Sequence, residues 1–216
     1  MKKLIIYDLD GTLVDTREDI ANAANQMLRD LGLATHPQNV IERFVGYGVH
    51  HFIAHCMQTQ DPKRIEQGIK VYRRHYHEHM LDHTRLYPGA KDILEYFKDR
   101  FQAVITNKPD PFSVEILKAL GVAGYFFHIV AGDSGYPKKP DPASVQDLMR
   151  MKKVGPADTL FVGDSLIDLE TARNAGVASA IITHGFVSAD ELKSANPERL
   201  FSNFREMLDE ARKNQW

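Results

Sequence analysis

The sequence predicts an α/β fold, a doubly wound parallel sheet (a Rossmann-like core) with an inserted helical cap domain, and three observations predict it. First, short apolar runs recur at Leu4 to Tyr7, Ala103 to Ile105, Phe127 to Val130, Leu160 to Val162 and Ala180 to Ile182. They have strand length and lack the polar alternation of a half-exposed strand, so they read as strands buried on both faces. Second, apolar residues between the later runs fall at helical spacing, as at Ile93, Leu94 and Phe97, then Val114, Leu117 and Leu120, then Val145, Leu148 and Met149. Strand and helix therefore alternate, the pattern of a parallel sheet covered by helices. Third, the stretch between the first two runs is long and holds no convincing strand, yet Ile20, Ala24, Met27, Leu28 and Leu31 share one helical face. Residues 16–82 are expected to form the cap, and residues 1–15 with 83–216 the core.

Local punctuation fits this division. Pro88 suits a first helical turn, and Gly121 and Gly176 follow apolar helical residues where a left-handed C-terminal position is common. Phe204 to Lys213 reads as a last helix. With 216 residues, a core domain with a smaller inserted module is the expected organisation. The formal charge of -2 offers no basic excess for nucleic acid, and no apolar run approaches the roughly 20 residues of a membrane span. The single cysteine, Cys56, has no partner for an internal disulfide, which makes the cytoplasm the expected compartment.

Open parallel sheets bind ligands beyond the carboxyl ends of their strands. The first apolar run ends in Asp8, Asp10, Gly11 and Thr12, the second in Thr106, Asn107 and Lys108, and the fourth in Gly163, Asp164, Ser165 and Asp168. Lys138, Lys139 and Pro140 follow the third run. Carboxylates, a hydroxyl and a lysine around one crevice suit a divalent cation together with a phosphate dianion. Carboxylates alone would repel phosphate; a hard cation such as magnesium, which takes oxygen ligands, resolves that repulsion.

Four segments, DLDGTLVDT at Asp8 to Thr16, VITN at Val104 to Asn107, KKPDP at Lys138 to Pro142 and GDSLID at Gly163 to Asp168, resemble in order the four motifs of haloacid dehalogenase superfamily hydrolases. The insertion after the first motif resembles the C1 cap type, and VGYG with KKPDP resembles phosphoglycolate phosphatases. The resemblance implies a Mg2+-dependent phosphatase acting on a small phosphorylated metabolite. Asp8 would be the nucleophile and Asp10 the general acid and base. Thr106 and the Asn107 backbone would hold the transferring oxygens, and Lys139 would neutralise charge. Asp8, Asp164 and the Asp10 carbonyl would bind the metal, with Asp168 a further ligand or an orienting residue. Gly11 would let the backbone approach the phosphoryl group. Asp10 separates this chain from the metal-free dehalogenases, which lack an acid there. A phosphomutase or pyrophosphatase of the same superfamily, or a catalytically silent binding protein on this scaffold, stands as the alternative.

Several residues carry a simpler reading. Asp15 and Asp19 are expected to be solvated or capping residues at the start of the first cap helix. His75, His79 and His83 share a helical face, as do His51 and His55, but no cysteine or carboxylate completes a zinc site. In the cap, Arg43 and His50 flank the turn of Gly46 and Gly48, which either approaches the core site or simply joins two helices. They are the candidate substrate contacts. Tyr7 needs a partner for its hydroxyl if buried, and Lys138 competes with Lys139 for the lysine role.

Overall fold

The computed structural model describes all 216 residues. Its centre is a six-stranded parallel sheet built from β1 (Leu4–Tyr7), β4 (Phe101–Ile105), β5 (His128–Val130), β6 (Thr159–Gly163), β7 (Ala178–Ile182) and β8 (Leu200–Phe201) in the order β5-β4-β1-β6-β7-β8. β1 lies in the middle, with Tyr7 level with Val104 on one side and Val162 on the other. Successive side chains of β1 point to opposite faces. Ile5 and Tyr7 join the larger apolar core, and Leu4 and Ile6 join a second core with Phe161, Val145 and Leu148. Apolar runs without alternation are what two covered faces require. The Tyr7 hydroxyl finds its partner in Gln102 Oε1 at 3.1 Å.

α5 (Ala90–Tyr96), α6 (Phe112–Ala119), α7 (Ala143–Lys152), α8 (Leu166–Ala175), α9 (Ala189–Ser194) and α10 (Phe204–Lys213) surround the sheet. Gly121 and Gly176 take the expected left-handed backbone. Pro88 does not enter a helical turn: Gly89, at φ +84°, precedes α5 and leaves the proline outside it.

Between β2 (Val14–Asp15) and β3 (Arg85–Leu86) run four helices, α1 (Arg17–Asp30), α2 (Gln38–Ile41), α3 (Val49–Cys56) and α4 (Pro62–His79). β2 and β3 are too short for the apolar-run criterion, and they pair antiparallel, Val14 with Leu86 and Asp15 with Arg85. Ile20, Ala24, Met27 and Leu28 of α1 are buried in one core with Ile65, Ile69, Tyr72 and Tyr76 of α4. Gly68 in α4 allows close packing, since a Cβ there would strike Met57 Sδ and Ile53 Cγ2.

Asp15 and Asp19 are neither solvated nor caps. Asp15 bonds Arg17 at 2.9 Å and Arg85 at 3.0 Å, bridging the start of α1 to β3. Asp19 is 1% exposed and accepts from the backbone N–H groups of His83 and Thr84 at 2.9–3.1 Å. Its carboxylate joins the departing and returning strands of the connection. The three histidines of the candidate face pair with acids, His75 with Asp30 at 2.7 Å, His79 with Asp82 at 2.9 Å and His83 with Glu18 at 3.3 Å. The His51 and His55 ring centroids lie 4.0 Å apart with the planes tilted by 34°.

Asp19→Ala should leave the buried Thr84 N–H and the partly buried His83 N–H unpaired and lower unfolding stability by about 2 kcal/mol in urea titration. Asp209→Ala, at an exposed position, should cost almost nothing. Equal midpoints for the two variants would refute the bridging role.

Candidate active site

The carboxyl ends of β1, β4 and β6 deliver Asp8, Thr106 and Asp164 to one end of the sheet, where the chain direction of neighbouring connections diverges around β1. Asp8 is fixed at the strand end by its N–H donating to Val162 O at 2.9 Å, and Thr106 by its N–H donating to Val130 O at 2.9 Å. The loop N–H groups of Leu9, Asp10 and Asn107 donate to no protein acceptor and are left for a ligand. Asp8, Asp10, Thr106, Asn107 and Asp164, together with Lys108 and Lys139, line a cavity of about 920 Å3 between the sheet and helices α1 to α4. That size falls in the range of small-molecule sites.

Lys139 is the centre of charge. Its ammonium, 6% exposed as a residue, lies 2.7 Å from Asp8 Oδ1 and 2.6 Å from Asp168 Oδ1. Burial alone would push its pKa down, but the two carboxylates outweigh burial and hold it above its ordinary value. Asn107 positions this lysine: its Oδ1 accepts from Lys139 N at 2.9 Å while its Nδ2 donates to Lys139 O at 3.1 Å. Lys138 lies elsewhere, along Gly48.

Asp8, Asp164 and Asp168 present carboxylate oxygens within 4.8 Å of one another, all buried. Burial raises the Asp8 carboxyl to about 7 against the opposing pull of Lys139, and burial with the neighbouring Asp168 and Asp8 raises Asp164 well above its usual range. Three acids facing one ammonium, with only oxygen donors, fit a hard divalent cation. Asp164 is held in place: Thr12 Oγ1 donates to Oδ1 at 2.6 Å and Phe186 N to Oδ2 at 3.0 Å. A Cβ at Gly11, itself at φ +84°, or at Gly185 would collide with Asp164 Oδ2. Asp168 stands behind. It is fully buried, pairs with Lys139 and shares a reciprocal cap with Ser165 at the start of α8.

Asp10 belongs to a different cluster. Its carboxylate accepts from Thr16 Oγ1 at 2.7 Å and from Lys108 Nζ at 2.9 and 3.2 Å, and it is not part of the Asp8, Asp164 and Asp168 cluster. Both cap candidates are exposed; Arg43 lines the cavity and makes no ion pair, whereas His50 on α3 lies outside the lining. The glycine turn does approach the core, since Asn107 Nδ2 donates to Gly46 O at 2.8 Å. Sequence reading missed Lys108 as a partner of Asp10, and it missed the segment His184 to Phe186. The latter follows the fifth apolar run, so the strand-end criterion applied there too would have found it.

A family model described as haloacid dehalogenase-like hydrolase matches residues 5–182. The chain belongs to that family, and its class is that of a phosphomonoester hydrolase. Within the family it is phosphoglycolate phosphatase-like. It is 35% identical to a phosphoglycolate phosphatase of Thiobacillus denitrificans over 191 residues, covering 85% of this chain and 84% of that one. It is 32% identical to the phosphoglycolate phosphatase of Pseudomonas syringae pv. tomato over 216 residues, 96% of this chain and 79% of the relative. The crystal structure of a predicted phosphoglycolate phosphatase from Haemophilus somnus superposes with a TM-score of 0.91 at 30% identity, covering 96% of this chain and 97% of the other.

A divalent cation should bind the metal-free protein and raise its melting temperature. At about 100 times the dissociation constant the gain is about 2.7 kcal/mol, or several degrees. Binding should weaken as pH falls through about 7, because Asp8 is then protonated and a cation needs the carboxylate. Asp164→Asn should remove the shift. No shift with magnesium, manganese or calcium at pH 8 would defeat the metal assignment.

Proposed function

We propose that this phosphatase hydrolyses a small phosphomonoester, 2-phosphoglycolate first among the candidates, with Mg2+ bound and with Asp8 as the phosphoryl acceptor. The carrying observation is the buried Lys139 ammonium 2.7 Å from Asp8, which holds this carboxylate at the cavity floor and supplies charge for a phosphoryl group arriving there. The names of the relatives support the substrate, and so does the free cation Arg43 in the cavity lining.

In the first step a carboxylate oxygen of Asp8 attacks phosphorus, the ester P–O bond breaks, and the departing alkoxide takes a proton from Asp10. In the second, water attacks the same phosphorus, gives its proton to Asp10, and the bond to Asp8 breaks to release inorganic phosphate. Thr106 and the free N–H groups of Asp10 and Asn107 receive the phosphoryl oxygens, and Lys139 neutralises the charge that accumulates. Asp8, Asp164 and the Asp10 carbonyl would hold Mg2+, which when bound supplies positive charge opposite the phosphoryl oxygens. Asp168 acts by keeping Lys139 in place. Residues 16–82 work as a cap over the core of residues 1–15 and 83–216, excluding water and choosing the leaving group. The one unpaired, buried Cys56 fits a reducing compartment such as the cytoplasm.

Asp8→Asn should lower phosphate release by at least about three orders of magnitude while the circular dichroism spectrum stays unchanged. Appreciable turnover in the folded variant would rule out the nucleophile. Excess chelator should stop the wild type, and magnesium should restore it.

The cap offers a separate check. Arg43→Ala should reduce the preference for 2-phosphoglycolate over para-nitrophenyl phosphate about tenfold, the worth of one charge-assisted contact. His50→Ala, outside the cavity, should leave that ratio alone. A ratio that follows His50 and ignores Arg43 would overturn this division.

A further inference from the structure

The segment His184 to Phe186, just beyond β7, holds Asp164 but has no backbone ladder to hold itself. Phe186 N–H donates to Asp164 Oδ2 at 3.0 Å, and Gly185 passes so close that a Cβ there would meet the same oxygen at 2.0 Å. Yet none of the three residues makes a backbone–backbone hydrogen bond. The position of the segment therefore depends on side chains.

Arg17, the first residue of α1, supplies that support. Its Nη2 donates to His184 O at 2.8 Å and to Gly185 O at 3.4 Å, and its guanidinium carbon lies 5.7 Å from the Phe186 ring centroid. Nη2 also reaches the Tyr87 hydroxyl at 2.6 Å, while Nε donates to Asp15 Oδ1 at 2.9 Å. Tyr87 in turn stacks on His184 with centroids 3.8 Å apart and planes 13° from parallel. The His184 ring donates from Nε2 to Thr12 O at 3.0 Å, and Thr12 is the residue whose hydroxyl holds Asp164 Oδ1. The partners of both Asp164 oxygens thus trace back to one cluster of Arg17, Tyr87 and His184. Only a planar fork of donors can span an acid and two carbonyls at once; a lysine ammonium is a single point.

We propose that Arg17 is a positioning residue for cation binding, fixing the His184 to Phe186 segment from the first turn of α1 so that Asp164 stays turned toward Asp8 and Asp168. The inference rests on the reading of Asp8 and Asp164 as cation ligands. It ties the helical insertion to the metal site by a route separate from the glycine turn that meets Asn107.

The direction of the effect separates this role from a purely electrostatic one. Arg17 lines the same cavity as the acids, so loss of its positive charge should by Coulomb attraction alone tighten cation binding, whereas loss of support for Asp164 should weaken it. Mn2+ affinity should be measured by calorimetry at pH 8 on the metal-free wild type, Arg17→Met, Arg17→Lys and Arg85→Ala, each shown to be folded by circular dichroism. Arg85 shares Asp15 with Arg17, but its hydrogen bonds go to Asp15 and His83 and not to the segment, so it controls for loosening of the β2–β3 pair. The Mn2+ dissociation constant should rise about tenfold in Arg17→Met and less than about twofold in Arg85→Ala. Arg17→Lys, which keeps the charge but not the fork, should shift in the same direction by a smaller factor, and it decides the question if Arg17→Met does not fold. Unchanged or tighter binding in the folded Arg17 variants, or an equal loss in Arg85→Ala, would overturn the positioning role and leave the metal assignment standing. A wild type that binds no Mn2+ would overturn the metal assignment and the positioning role with it.

Discussion

The site depends on one ammonium held between two carboxylates. Lys139 contacts Asp8 and Asp168 at nearly equal distances, in a place where none of the three groups could be charged alone without a large desolvation cost. Neighbouring features exist to keep that contact. Asn107 clamps the lysine backbone through both its polar atoms. Asp168 is itself locked by Ser165 and by the backbone of Asp164 and Ser165 at the start of α8. Fully ionised, the three acids would carry two more negative charges than the one ammonium offsets, and that excess is what a divalent cation would answer.

A second ion pair divides the cavity chemically. Lys108 holds Asp10 on the side facing α4, while Lys139 holds Asp8 on the side facing α8. Two carboxylates two residues apart thereby meet different cations, as the different tasks proposed for them, bonding to phosphorus and moving a proton, would require. Asn107 joins the halves, since its amide touches both the Lys139 backbone and Gly46 of the cap turn. Arg17 does the same at the other rim, bonding Tyr87, His184 and Asp15 from the first turn of α1.

Much of this was legible in the sequence because buried parallel strands are uninterrupted apolar runs, and the residues that end them are the residues that face the ligand. The five runs became β1, β4, β5, β6 and β7, and the strand-end residues Asp8, Thr106, Asn107, Lys139 and Asp164 do come together. Two-residue strands carry no periodicity, so β2, β3 and β8 were invisible. Asp19 was misread because an acid in a first helical turn normally faces water; only the returning chain, more than sixty residues later, supplies its N–H partners. His50 and Arg43 flank the same turn in sequence, but the helical rotation from Gly48 into α3 carries one outward while the other reaches the cavity.

The paired ends of the helical insertion have a further consequence. Val14 faces Leu86 and Asp15 faces Arg85 in an antiparallel ladder, so the chain leaves the sheet and returns to it at adjacent points. Backbones so paired lie about 5 Å apart, a gap that a tight turn closes. Everything between those points is thus a cassette: it can be shortened, exchanged or elaborated without changing the length or register of any strand in the central sheet. A scaffold built this way can keep one bond-breaking apparatus through an evolutionary lineage while its leaving-group preference is rewritten by grafting a different segment at a single position in the chain.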